Sequence, residues 1–118
     1  MYARLPINSG IIEYVDSFIS NSQRCPQLLD KICDKTEYDL ILSIFDYVYQ
    51  QKATDKRTYE RILKILDDIY TVFDSISESN STSSYCVSFN KFCASDKNKQ
   101  ESAISNFKLR LNFWKTFQ

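Results

Sequence analysis

The chain has 118 residues, of which 43% are hydrophobic and 25% charged, and its 15 basic and 15 acidic residues give a net charge of zero. This length suits one domain with a substantial core, and the balanced charge argues against nucleic acid or an anionic membrane surface as partner. A single glycine and no histidine argue against glycine-rich phosphate loops and exclude histidine-dependent catalytic or zinc sites.

Carboxylate or lysine chemistry stays open, but no arrangement of such residues forms a recognisable site. We therefore expect no enzyme activity, no cofactor and no metal. No run of 18 apolar residues is present, so we also expect no insertion into a membrane. Met1 to Pro6 is too short and too polar for a signal peptide, so the chain is either intracellular or a mature secreted form.

The first predicted helix covers residues 9–21. Its apolar residues recur at helical spacing and form one stripe: Ile11, Ile12, Val15, Phe18 and Ile19. The connection that follows contains Pro26, which favours a short turn around Leu28, Leu29 and Ile32. The second predicted helix covers residues 35–51, and Asp34 with Glu37 has the spacing of a capping box at its start.

The third predicted helix, at 55–77, has the clearest stripe of the chain. Within 58–76 its apolar positions are Ile62, Ile65, Leu66, Ile69, Val72, Phe73 and Ile76. A helix of this length cannot bury such a stripe alone, so we expect the other segments to pack around it. The short connection after the second helix predicts that these two helices are antiparallel neighbours.

A serine-rich segment at 75–84 predicts a solvated loop, since serine disfavours helix interiors. It contains Asn80 in an N-glycosylation pattern, Asn-Ser-Thr. Val87 and Phe89 alternate further on and would suit a short strand. The last predicted helix covers residues 97–116, with Ser95 or Asp96 as its cap.

These segments predict an all-α fold: a single-domain four-helix bundle over residues 1–118, with long, short and long connections. The long connections permit the up-up-down-down topology, and a short strand pair could join them. Long connections can also join antiparallel neighbours, so the spacing does not demand that topology.

The four cysteines form two close pairs, Cys25 with Cys33 and Cys86 with Cys93, and both pairs lie in the long connections. Two disulfides are consistent with an even number of cysteines in a short chain, and three connectivities are open. Zinc binding fits poorly, because zinc ribbons place ligands two to four residues apart. The alternative is four reduced thiols in an intracellular protein.

The long-short-long spacing, the serine loop with Asn80, and the closing segment from Ser105 to Phe117 together resemble the short-chain four-helix cytokines, in the interleukin and colony-stimulating factor group. The resemblance implies a secreted glycoprotein that binds and brings together cell-surface receptor chains. It also implies that the two long connections lie side by side, with nested bridges Cys25–Cys93 and Cys33–Cys86.

In that family, receptors bind exposed faces of the first, third and last helices. The matching exposed positions here would be Glu13, Asp16, Arg57, Glu60, Arg61, Lys64, Lys108, Arg110 and Lys115. The alternative interpretation of each residue is a solvated surface charge that has no role in binding. The alternative function is an intracellular helical interaction module, such as a viral host-protein mimic or a small complex subunit. The sequence does not determine the receptor or the oligomeric state.

Overall fold

The computed structural model describes residues 9–51 and 58–116. In these residues the chain forms six α-helices and a short 3-10 helix, with no β-strand, so the all-α class is confirmed. The elements are α1 (Ser9–Ser22), the 3-10 helix (Pro26–Leu28), α2 (Lys35–Gln50), α3 (Thr58–Asp67), α4 (Ile69–Asn80), α5 (Ser84–Cys93) and α6 (Lys97–Lys115).

The helix that the others surround is α2. It packs against α5 most extensively, and also against α6, α1 and α3. Leu40, Ile41 and Ile44 have no exposed surface at all. Our prediction that the third helix would be the centre was wrong, because that stripe covers one face only, whereas neighbours cover α2 on nearly every side.

Two clusters of aromatic rings lie along α2. In the first, Phe45 contacts Phe18 of α1 and Phe107 of α6, with ring centroids 4.9 Å and 5.8 Å away. In the second, Tyr47 contacts Phe73 of α4 at 6.1 Å, and Phe73 stacks on Phe89 of α5 at 4.3 Å. Edge-to-face and offset ring pairs stabilise beyond the area that they bury, so α2 joins the two halves of the core.

The single helix predicted at 55–77 is wrong, since the described part of it forms two helices. The chain leaves helical geometry at Asp68, with φ −140° and ψ 44°. Val72 N–H then donates to the Asp68 carbonyl at 3.0 Å as α4 begins. The break lets α3 pack against α2 and α6 while α4 packs against α5. The predicted start, at 55–57, lies outside the described residues.

The predicted short strand is wrong, and the predicted serine loop is confined to residues 81–83. Residues 75–80 continue α4, and 84–93 form α5, whose N-cap Ser83 accepts a hydrogen bond from Cys86 N–H at 3.4 Å. Phe89 is buried and Val87 is 45% exposed, so the two lie on different sides. The spacing of Tyr85, Phe89 and Phe92 is helical, and burial of these rings outweighs the local preference of serine.

Candidate functional site

A buried ion pair lies where α1, α2 and α6 meet. The Arg110 side chain has no exposed surface, and its Nε donates to Glu37 Oε2 at 2.5 Å. Nη1 donates to two groups of α1, Ile19 O and Ser22 Oγ, both at 3.2 Å, and Nη2 donates to Oε1 of Gln23, the residue after α1, at 2.8 Å. A buried cation is tolerated only when its charge and donors are satisfied in this way.

This network extends to the connection before α2. Gln23 Nε2 donates to the carbonyl of Leu28 at 2.5 Å and also to the carbonyl of Lys31. Arg110 therefore holds Gln23, and Gln23 holds the backbone of the connection. Burial raises the pKa of the Glu37 carboxyl, and the hydrogen bond from Arg110 opposes that rise. The arrangement is suited to holding three segments together.

Arg110 was predicted on an exposed receptor-binding face, and that placement is wrong because the side chain is buried. Lys108 and Lys115 on the same helix reach the surface, but Arg110 belongs to the buried side with Phe107 and Leu111. The helical spacing already contained this signal, because Arg110 follows Phe107 by three residues and so shares its face. The Glu37 N–H donates to Asp34 Oδ1 at 2.9 Å, as in the predicted capping box, but the Glu37 carboxylate pairs with Arg110, which the sequence did not predict.

A second set of contacts joins α3 to α6 at the surface. Asp67 Oδ1 lies 3.2 Å from Lys108 Nζ, and Tyr59 OH donates to Asn112 Oδ1 at 2.6 Å. Lys115 Nζ lies over the Tyr59 ring, 5.2 Å from its centroid. We name this surface the α3–α6 face; it comprises Tyr59, Glu60, Leu63, Lys64, Asp67, Lys108, Asn112 and Lys115.

Four of the predicted receptor-binding residues lie on the α3–α6 face: Glu60, Lys64, Lys108 and Lys115. Arg61 is exposed on α3 but points away from α6 by helical spacing. Glu13 and Asp16 are exposed on α1, which is a separate surface. Burial raises the pKa of Tyr38 on α2, and the Asp16 carboxylate adds to that rise. Arg57 lies outside the described residues.

No disulfide joins any of the four cysteines in this structure. Ser84 Oγ contacts Asp46 Oδ2 and Ser95 Oγ contacts Thr36 Oγ1, each at 2.5 Å, so α5 runs antiparallel to α2. This packing places Cys86 beside the C-terminal half of α2, whereas Cys33 precedes its N-terminus. Ten residues of helix span about 15 Å, and a disulfide needs Cα atoms within about 7 Å. The structure does not bring Cys33 and Cys86 together, and the pairing of Cys25 with Cys93 stays a prediction.

The thiols differ in environment. Cys25 and Cys86 are buried, Cys33 is half-buried and Cys93 is exposed. Burial, assisted by the Glu37 carboxylate, raises the pKa of Cys33 to about 12. Burial also raises the pKa of Cys93, with a smaller contribution from Asp74. Neither thiol is therefore activated as a nucleophile.

A groove that sequence analysis missed lies between the connection before α2 and the first half of α6. Its volume is about 690 Å³, and Lys31 and Ile32 form one wall while Asn98, Glu101, Ser102, Ser105 and Asn106 form the other. Ile32 is 90% exposed and nearby Leu29 is 65% exposed. We expected both in a turn, but only Leu28 of that turn is buried.

The described residues contain no group of three or more metal-ligating side chains. Over the same ranges, no helix is long and apolar enough to cross a membrane. Asn80, the predicted glycosylation acceptor, is exposed as the last residue of α4. Comparisons with protein-family models, curated proteins and solved structures found no match to this chain.

Proposed function

We propose that this chain is a helical protein-interaction module whose partner binds the α3–α6 face. The observation that carries the proposal is that side chains of two helices are already ordered by contacts with each other, namely Tyr59 and Asp67 of α3 with Lys108, Asn112 and Lys115 of α6. The Tyr59 ring is fixed between Asn112 and Lys115. An ordered tyrosine offers a large contact area at little further entropic cost on binding, which is typical of interface anchors.

The charges of this face indicate the chemistry of the partner. Lys64 and Lys115 are exposed, and Lys108, half-exposed, is paired with Asp67. Asp67 and Glu60 are the acidic residues of the face. A partner surface with carboxylates opposite Lys64 and Lys115, and an apolar area against the exposed part of Tyr59, would be complementary.

Affinity capture with matched variants tests the proposal. Immobilised wild-type protein, Lys64→Glu and Lys115→Glu are exposed to extracts and conditioned medium of the source cells, and bound proteins are quantified by mass spectrometry. We expect at least one specifically bound protein to fall about tenfold or more on both variants and to persist on Lys91→Glu, which alters an exposed lysine of α5. Circular dichroism checks that helicity is unchanged. Equal retention on all four proteins would remove the α3–α6 face from consideration.

We favour an intracellular setting with reduced cysteines. The observation in support is the placement of Cys86 within α5 beside the C-terminal half of α2, away from Cys33. Buried cysteines such as Cys25 and Cys86 also pack well as small apolar side chains when reduced. A small complex subunit or a viral host-protein mimic would suit this setting, with a cytoplasmic location.

The second candidate is the secreted cytokine-like ligand that brings receptor chains together. Exposed Asn80 supports it, because a glycosylation acceptor must be accessible. So does the separation of the acidic α1 surface, Glu13 and Asp16, from the α3–α6 face, since two receptor chains need two surfaces. In this form α1, α2, α3 with α4, and α6 would be the four helices of an up-up-down-down bundle, and α5 an addition in its last connection.

Counting free thiols separates the two candidates. Freshly isolated protein is alkylated in denaturant with and without prior reduction, and its intact mass is measured. Four alkylated cysteines without reduction would support the intracellular module and contradict the disulfide-linked ligand. No alkylation before reduction would overturn the reduced form, and a mass increase from a glycan at Asn80 would support secretion independently.

A further inference from the structure

The groove between the connection before α2 and α6 has opposite charges on its two walls. Lys31 is exposed on the wall formed by the connection, and Glu101 is exposed on the wall formed by α6. Among the described residues neither side chain belongs to an ion pair. Each wall therefore has an unpaired charge that complements the opposite wall.

The apolar part of this surface is held in place by the buried network. Gln23 bonds the carbonyls of Leu28 and Lys31, and Arg110 bonds Gln23. These bonds fix the backbone on both sides of Leu29 while its side chain is 65% exposed, and Ile32, three residues further on, is 90% exposed. Large exposed apolar side chains on an ordered backbone suit an interaction surface, and the order lowers the entropic cost of binding.

We propose that this groove is a self-association surface, at which a second copy of the chain docks about a two-fold axis. A two-fold rotation exchanges the two walls, so Lys31 of each subunit meets the partner's Glu101 and each Ile32 packs against the α6 wall of the other subunit. A surface that carries both charges is complementary to itself, as an isologous contact requires. The zero net charge of the chain adds no repulsion between copies.

The groove is separate from the α3–α6 face. It uses residues 98–106 of α6, whereas the face uses residues 108–115. The two proposals can therefore fail independently. A dimer formed through the groove would present two α3–α6 faces, one from each subunit.

Sedimentation velocity over a concentration series tests the proposal with the full chain. We expect wild-type protein to shift from monomer to dimer as concentration rises. Lys31→Glu and Glu101→Lys should each weaken dimerisation at least tenfold, because each variant opposes like charges at both contacts. Ile32→Asp should abolish the dimer. Lys91→Glu and Glu78→Lys alter exposed charges elsewhere and should leave it unchanged.

Mixing the Lys31→Glu and Glu101→Lys variants is the experiment that decides whether these two residues meet across the dimer. In a mixed pair, Glu at position 31 of one subunit meets Lys at position 101 of the other, and the second contact keeps the native Lys31 and Glu101. We therefore expect an equimolar mixture to form a heterodimer at wild-type concentrations, although neither variant dimerises alone. Protein that stays monomeric throughout the series would overturn the proposal. So would a dimer insensitive to the groove variants, or charge variants that are not rescued by mixing.

Discussion

At the scale of single residues, the Arg110–Glu37 pair has the largest energetic consequence. Both groups are removed from water, so each depends on the other and on the α1 hydrogen bonds. Removing one partner leaves a buried charge uncompensated, whereas removing both leaves an apolar core. The pair is thus essential to this packing without being a large net source of stability.

We expect Arg110→Met and Glu37→Met each to lower the free energy of unfolding by about 3–5 kcal/mol. The double replacement by methionine should cost less than the two single replacements added together, because it leaves no unpaired charge. Urea unfolding followed by circular dichroism measures all three. Lys108→Met, which breaks the surface pair with Asp67, is the control and should cost no more than about 1 kcal/mol. Additive losses would contradict the coupling.

Cys33 is expected to react slowly with alkylating reagents in the folded protein. Its pKa of about 12 compares with an ordinary value of 9.0, so at pH 8 the thiolate fraction is lower by about a thousandfold. Its alkylation rate should rise about tenfold per pH unit from pH 8 to 10, where an ordinary thiol levels off. Site-resolved mass spectrometry follows this, with Cys33 in denaturant as the control. A rate that levels off near pH 9 would contradict the raised pKa.

At the scale of elements, the helical state of 84–93 depends on aromatic burial. A strand would place the side chains of Val87 and Phe89 on the same face, since the strand period is two residues. The helix separates them by about 200°, and only Phe89 reaches the ring of Phe73. The two geometries therefore predict different costs of substitution.

We expect Phe89→Ala to lower the free energy of unfolding by about 3–5 kcal/mol, because it removes a buried ring. Val87→Ala should change it by less than about 0.5 kcal/mol, since this side chain is 45% exposed. Thermal or urea denaturation of the two variants gives the comparison. If both substitutions lowered the free energy of unfolding by similar amounts, Val87 and Phe89 would share a buried face, which contradicts the helical geometry of α5.

At the scale of the whole molecule, cooperativity should be greatest at α2. This helix contacts α1, α3, α5 and α6, so its backbone can exchange hydrogen only when much of the core opens. We expect the amides of residues 40–48 to exchange slowest, at the rate set by global unfolding. Amides of α3 and the end of α6 should exchange faster. Hydrogen exchange with mass spectrometry measures this order. If the amides of α2 exchanged faster than those of the other helices, its central position would be contradicted.

The two surfaces that we propose as binding sites were predictable only in part. Helical spacing identified Glu60, Lys64, Lys108 and Lys115 as exposed candidates, but it could not bring α3 beside α6. The groove at Ile32 had no sequence signal of its own, because a pattern of residues does not reveal which apolar side chain in a connection stays exposed. That outcome depends on Gln23 and Arg110, which are distant in sequence from each other.

The sequence by itself determined the helical class, the cap at Asp34 and the apolar face of α1, and it narrowed the cap of α6 to Ser95 or Asp96, because these depend on neighbours within one or two turns. Only the tertiary structure decided that α2 is central, that the chain breaks at Asp68, that 84–93 is helical and that Arg110 is buried. Each of these depends on which faces meet across long sequence separations, and burial of rings and charges there outweighs local preference.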